Sequence, residues 1–233
     1  MSADVRPGSG EMFDAIADRY DLLNRIISLG VDQSWRDKAV RALALSGAAR
    51  VLDVATGTAD LALRIARTLR SAEVVGVDPS ERMLEIGRTK LEKAGLGGRV
   101  LLEAGKVESL PHPDASFDGA TIAFGIRNAK DRALGLVEMR RVTRSGGRVV
   151  VLELGEPESG PLAGVARWHI HSVVPWLGGL LSGKREYEYL QRSIAAFPSR
   201  VEFGALMSGA GLEVEKVELL TFGVATLFVG RVP

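Results

Sequence analysis

Arg50-Val51-Leu52-Asp53-Val54-Ala55-Thr56-Gly57-Thr58-Ala59-Asp60 decides how this chain folds. Arg50 to Ala55 is a short, mostly apolar run of the length of a buried strand. Thr56-Gly57-Thr58 supplies a turn, and Ala59 to Leu69 carries apolar residues at amphipathic helical spacing. A second such unit follows: Glu73 to Val77 reads as a strand ending at Asp78-Pro79-Ser80, and Glu81 to Ala94 as a helix. Val100 to Leu102 and Phe117 to Phe124 read as further strands, Ala133 to Arg141 as a helix, and Gly147 to Leu154 as a fifth strand entered through Ser145-Gly146-Gly147. Strand and helix alternating at this spacing predict an α/β fold, a doubly wound parallel sheet with helices on both faces.

Outward from this core the rhythm changes. Glu11 to Leu45 has a helical period, with Phe13, Ile16, Ala17 and Tyr20 on one stripe and Gly30 as a stop. Asp32 or Ser34 is the expected cap of the helix carrying Trp35, Ala39, Val40 and Leu43. Pro161 to Ser193 reads as helical without a strand, and Val201 to Ala210 as another helix. Leu212 to Leu219 and Thr221 to Val229 read as two strands with almost no connection. A parallel crossover cannot be that short, so they form an antiparallel hairpin at the sheet edge. The expected organisation is a disordered lead over 1–10 and one domain over 11–233, comprising a helical preface (11–46), a core (50–155) and a helical insertion (160–197).

The chain has 233 residues, enough for one sizeable core. A net charge of +1 supplies no global field for nucleic acid, and the absence of cysteine excludes disulfides, Cys-ligated zinc and thiol nucleophiles. The first ten residues lack the apolar core of a signal peptide. The most apolar stretch, Trp168 to Gly183, is shorter than the roughly 20 residues of a membrane-spanning helix. The expected location is the cytoplasm.

In open α/β sheets ligands bind at the carboxyl edge, where the Thr56 to Ala59 turn lies. Gly57 admits a close backbone approach, and Asp78 ends the next strand at the distance from which an acid meets ribose hydroxyls. A dinucleotide would want G-x-G-x-x-G, so that pyrophosphate meets a bare helix N-terminus. Here those three positions hold Ala55, Gly57 and Asp60, with Asp53 upstream. S-adenosylmethionine has no phosphate and carries an ammonium and a sulfonium, so acids around the loop suit it and disfavour NAD. The plainer reading makes Asp53 and Asp60 helix caps or solvent-facing groups, and Asp78 a cap before Pro79.

The chain also resembles the quinone-biosynthesis C-methyltransferases, which methylate demethylmenaquinol or a ubiquinone-precursor ring. The likeness runs through Met12-Phe13, Arg19-Tyr20-Asp21-Leu22-Leu23-Asn24, Trp35-Arg36, Leu52 to Asp60 and Gly76 to Ser80. Its most specific pieces are Phe124-Gly125-Ile126-Arg127-Asn128 and Tyr187-Glu188-Tyr189-Leu190-Gln191-Arg192-Ser193-Ile194, followed by Phe197-Pro198. It implies a class I methyltransferase sheet of seven strands with the last reversed. It also implies that Thr58 and Asp78 contact S-adenosylmethionine, beside the Asp53 and Gly57 read from the loop itself, with S-adenosylhomocysteine as product and no metal. After the third strand the family has Asn or Asp and a small residue, where this chain has Lys106-Val107. Lysine cannot accept from the adenine amino group, which leaves the Val107 backbone. Ala123 replaces the family's frequent Ser or Gly.

The resemblance makes a ring carbon of a polyprenyl quinol the nucleophile, activated when a ring hydroxyl loses its proton. Phenols ionise near pH 10, so Arg127 is the candidate to stabilise the oxyanion, and Asn128 to orient water or the ring oxygen. The plainer alternatives are a salt bridge from Arg127 to Asp131 or another local acid, and a turn role for Asn128. Tyr20, Tyr187 and Tyr189 are candidates for the substrate side or for plain packing. His169 and His171 lack a third ligand at metal spacing. Trp168 to Leu181, with Trp176, is read either as a peripheral membrane contact or as a buried helical insertion. A homodimer is compatible with the sequence. The wording Gly57-Thr58-Ala59-Asp60 leans toward demethylmenaquinol as acceptor. The alternatives are the ubiquinone-precursor benzoquinol, another small molecule, or a non-catalytic S-adenosylmethionine-binding protein.

Overall fold

A computed structural model describes residues 14, 17, 28, 30–155 and 184–233. Its elements in chain order are α1 (Asp32–Ala42), β1 (Arg50–Val54), α2 (Asp60–Thr68), β2 (Glu73–Asp78), α3 (Glu81–Lys93), β3 (Val100–Ala104) and β4 (Phe117–Ala123). A single 3-10 turn (Ile126–Asn128) leads to α4 (Arg132–Val142) and β5 (Thr143–Leu154). Then come α5 (Lys184–Ala195), α6 (Arg200–Gly209), β6 (Glu213–Leu220) and β7 (Ala225–Arg231), with a tight corner over Thr221–Gly223 joining the last two.

The seven strands form one sheet in the order β3-β2-β1-β4-β5-β7-β6. β1 pairs in parallel with both β2 and β4, and β4 with β5. β7 runs antiparallel to β5 and to β6, as the short link between the last two strands requires. The order reverses between β1 and β4, so a crevice opens over the carboxyl ends of those two strands.

Burial on both faces explains why the inner strands read as continuous apolar runs. One face packs Trp35, Leu61, Ile65, Leu84 and Leu102 under α1, α2 and α3. The other packs Leu52, Ile122, Leu136, Met139, Phe203 and Phe228 under α4 and α6. The ring of Phe203 lies 5.0 Å from that of Phe197 and 4.7 Å from that of Phe228, which ties the entry of α6 to the sheet.

Local details differ from the sequence expectation in two places. Val31, without a side-chain bond, caps α1, while Asp32 enters the helix and accepts from Ser28 Oγ at 2.8 Å and Gln33 Nε2 at 2.9 Å. Ser145-Gly146-Gly147 does not precede β5 but lies inside it. The strand pairs at Phe117 with Thr143, then shifts register before Gly119 meets Arg148. The extra residues form a bulge, with Gly146 at φ 78°. In the insertion, Lys184–Ala195 is helical as expected, and 156–183, with both histidines, lies outside the described residues.

Candidate active site

The loop after β1 is held down by buried side chains. Asp53, 1% exposed, accepts from Thr56 Oγ1 and from Thr121 Oγ1, each at 2.7 Å. The loop therefore folds back on its own strand, with Thr56 N donating to Val77 O at 3.1 Å. That tight path requires left-handed backbone at Ala55 (φ 50°), Gly57 (φ 56°) and Ala59 (φ 65°). Only the glycine takes it without strain. Phe124, at the tip of β4, is also left-handed (φ 60°). The next residue must be glycine, since a Cβ on Gly125 would stand 2.4 Å from Ala55 Cβ. The two loops flanking the crevice thus touch, and strained non-glycine residues gather there.

Asp78 ends β2 beside this loop. Its Oδ2 accepts from Gly57 N at 2.8 Å and its Oδ1 from Ser80 N at 2.9 Å. Burial, with the like charges of Asp53 and Asp14 adding, raises its pKa from 3.8 to about 6. Asp53 also rises to about 6, chiefly through burial. Ser80 Oγ donates to Asp14, which therefore lies at the end of β2.

Not all of the acids around the loop face the crevice. Lys90 Nζ reaches Asp60 at 2.7 Å and Thr58 Oγ1 at 2.8 Å, so Asp60 is ion-paired and Thr58, 2% exposed, turns toward α3. Asp53 is sealed inside as the anchor of the loop. The negative charge left to a ligand at this edge centres on Asp78. Lys106 is exposed on the loop after β3, and Val107 is half-buried against Gly135. Gly105 N donates to Asp78 O at 3.1 Å, which sets this loop beside Asp78. Ala123, half-buried, closes β4.

A second cluster lies on the α4 side of the sheet. Arg127, 8% exposed, sits in the 3-10 turn after β4. Its Nη1 donates to Phe124 O and to Glu153 Oε1, both at 2.6 Å. The local acid is therefore Glu153 on β5, while Asp131 caps α4 through Leu134 N at 2.9 Å. Tyr189 on α5 donates its hydroxyl to Asn128 Oδ1 at 2.9 Å. Burial pushes the Tyr189 phenol above its ordinary value of 10.0, so it keeps its proton at neutral pH. Tyr20 lies outside the described residues, as does the side chain of Tyr187. Trp35 and Arg36 shape the crevice from behind. The Trp35 ring is 6.3 Å from that of Phe124, and Arg36 Cζ stands 5.2 Å from the same ring.

Glu153, Thr121 and Asp14 were not singled out from the sequence. A signal for Glu153 existed: it is the one charge in the apolar run Val149 to Leu154, where a buried acid requires a partner. Among the described residues no group of His, Asp and Glu is placed to hold a metal ion, and no helix is long and apolar enough to cross a membrane.

The crevice fits S-adenosylmethionine. Asp78 is a buried carboxylate that accepts from the Gly57 and Ser80 backbone N–H groups, and a ribose diol offers two O–H donors to its remaining lone pairs. The Asp78 carboxylate already occupies the Gly57 loop N–H, which disfavours a pyrophosphate there. The sign of the pH dependence follows. A ligand that donates to Asp78 requires the carboxylate, so S-adenosylhomocysteine affinity should fall about tenfold per unit as pH drops below about 6. Folding of the ligand-free protein responds oppositely. Both acids have native pKa values raised above 3.8, so the native state binds protons that the unfolded state has released. Their stabilising contribution is full below about pH 4 and is lost as pH rises through about 6. Calorimetric titration between pH 5 and 8 checks the first sign, and thermal melts over pH 4 to 7 the second.

Comparison with known proteins agrees with this geometry. The model of the ubiE/COQ5 methyltransferase family matches residues 3–231. A ubiquinone/menaquinone biosynthesis C-methyltransferase of Geobacter sp. (strain M21) is 46% identical over 94% of both chains. A demethylmenaquinone methyltransferase of Thermus thermophilus is 48% identical over 95% of this chain and 100% of its own. Among solved structures, an S-adenosylmethionine-dependent methyltransferase from Aquifex aeolicus superposes with a TM-score of 0.63 at 18% identity, covering 85% of this chain and 89% of its own.

Proposed function

The chain belongs to the ubiE/COQ5 methyltransferase family, and from that premise we propose that it C-methylates demethylmenaquinol to menaquinol, the last step of menaquinone biosynthesis. The observation that carries the reading is the pairing of two sites at one sheet edge. One is the Gly57–Asp78 crevice; the other is the buried Arg127 with Asn128 beside it. When bound, S-adenosylmethionine supplies the electrophilic methyl group. Asp78 holds the ribose hydroxyls, Gly57 gives the backbone room, and the Val107 and Ala123 backbones border the adenine and the reacting end.

On the acceptor side, Arg127 stabilises the phenolate that makes the neighbouring ring carbon nucleophilic. Once that carbon has taken the methyl from sulfur, its ring hydrogen leaves as a proton to water and the ring oxygen is reprotonated. A guanidinium keeps its charge at every working pH and is a poor base, so water takes the phenolic proton. Tyr189 occupies Asn128 Oδ1, which leaves the amide NH2 to donate to the ring oxygen or that water. Tyr187 and Tyr20 are assigned to the same side by family likeness. Burial of Arg127 keeps competing water from its charge. The polyprenyl tail keeps this acceptor in a lipid phase, so the enzyme works at a membrane surface, with Trp168 to Leu181 as the contact.

The relatives named for both quinones keep the ubiquinone-precursor benzoquinol as a second acceptor. Labelled S-adenosylmethionine offered with demethylmenaquinol and, separately, with the benzoquinol tests the assignment. Label is expected in the naphthoquinol. Label only in the benzoquinol, or in neither, refutes it.

A further inference from the structure

We propose that Glu153 is the positioning residue of the acceptor site, setting both the orientation and the effective charge of Arg127. Glu153 is fully buried at the penultimate position of β5. Its Oε2 accepts from the Arg127 backbone N at 3.1 Å, and its Oε1 from Arg127 Nη1 at 2.6 Å. One carboxylate thus grips the same residue at its root and at its tip. Leu154 N, at 2.9 Å from Oε1, fixes the carboxylate itself. Phe124 O, presented by a left-handed backbone, takes the Nη1 bond from the other side.

Stability is a weak reason for such an arrangement. An apolar pair of similar volume in a buried site is commonly as stable as an ion pair, because both charges must be desolvated. The strain at Phe124 and the buried pair converge on one guanidinium, the group that meets the acceptor oxyanion. The charged and titratable groups around Glu153 are Arg127, with Arg132 and Tyr189 beyond it, and Arg200 of α6, which lines the same cavity. Arg132 Nη2 bonds to Arg127 O at 3.1 Å, and Tyr189 to Asn128, so both brace the same turn. Glu153 also holds the net charge of the pair near zero. Without its carboxylate, Arg127 would act on a bound phenol with a larger net positive charge.

This inference rests on the quinol assignment above, and three variants test it. Glu153→Gln is expected to lower kcat about 10²-fold, the scale of a misplaced catalytic group. KM for the quinol and Kd for S-adenosylhomocysteine should stay within about threefold on the same view that only orientation is lost. The ascending limb of its kcat–pH profile should move to lower pH, since the freed cation favours phenolate. Glu153→Asp keeps the charge and loses a methylene, so it should restore the wild-type profile and part of the rate. In an Arg127→Met background, Glu153→Gln should change kcat less than about twofold.

The inference is overturned by wild-type kcat in Glu153→Gln, by an unmoved profile, or by an equal loss in both backgrounds. Should Glu153→Gln not fold, Glu153→Asp decides alone: reduced kcat with unchanged cofactor-product affinity supports the inference, and unchanged kcat refutes it. Wild-type enzyme inactive on both quinols sinks the quinol assignment together with this one. An active wild type with additive variants sinks only this one.

Discussion

Arg127→Ala is expected to slow methyl transfer to the quinol by about 10²- to 10³-fold, the usual cost of removing one donor from a developing oxyanion. Affinity for S-adenosylhomocysteine should change less than about twofold, because Arg127 bonds to Phe124 and Glu153 and not to the Gly57–Asp78 edge. The substitution also leaves Glu153 buried without its cation, at a cost of about 3–5 kcal/mol of stability. Turnover should therefore be normalised to titrated cofactor-product sites and measured well below the melting temperature of the variant. Wild-type kcat per site would remove Arg127 from the chemistry.

The second large effect is expected at Asp78. Each hydrogen bond to an ionised group contributes about 1.5–3 kcal/mol, so losing two from a ribose diol weakens binding by about 10²-fold or more. Asp78→Ala should raise the Kd for S-adenosylhomocysteine by at least that factor and abolish its dependence on pH near 6. Stability above pH 6 should suffer less than such a deletion normally brings. Gly57 N and Ser80 N lose their acceptor, but a costly buried charge goes with it. Calorimetry and thermal melts of the same sample separate the two effects, and an unchanged Kd would refute the ribose assignment.

Much of the fold was legible because inner strands of a parallel sheet must be apolar on both faces. β1, β2 and β4 were read to within about a residue, since each ends where a turn forces left-handed or loop backbone. The antiparallel ending followed from connection length alone. The bulge in β5 was not legible, because a Ser-Gly-Gly triplet serves equally as a turn between elements or as an irregularity within one. Asp53, Gly57 and Asp78 were legible because strand ends place them. The direction each side chain takes was not. Lys90 neutralises Asp60 from 30 residues away, and Thr121 seals Asp53 from the adjacent strand. For Arg127 the sequence offered Asp131 or another local acid as a partner, and the sheet supplies Glu153, 26 residues away.

Trp35 Nε1 donates to Thr221 Oγ1 at 2.9 Å, joining two residues 186 positions apart. The indole that steadies Phe124 is itself anchored at the β6–β7 corner. A ribosome must therefore release the β6–β7 corner before the mouth of the catalytic crevice acquires its final shape. Nascent chains cannot acquire a working methyl-donor pocket early, however soon the central strands come together.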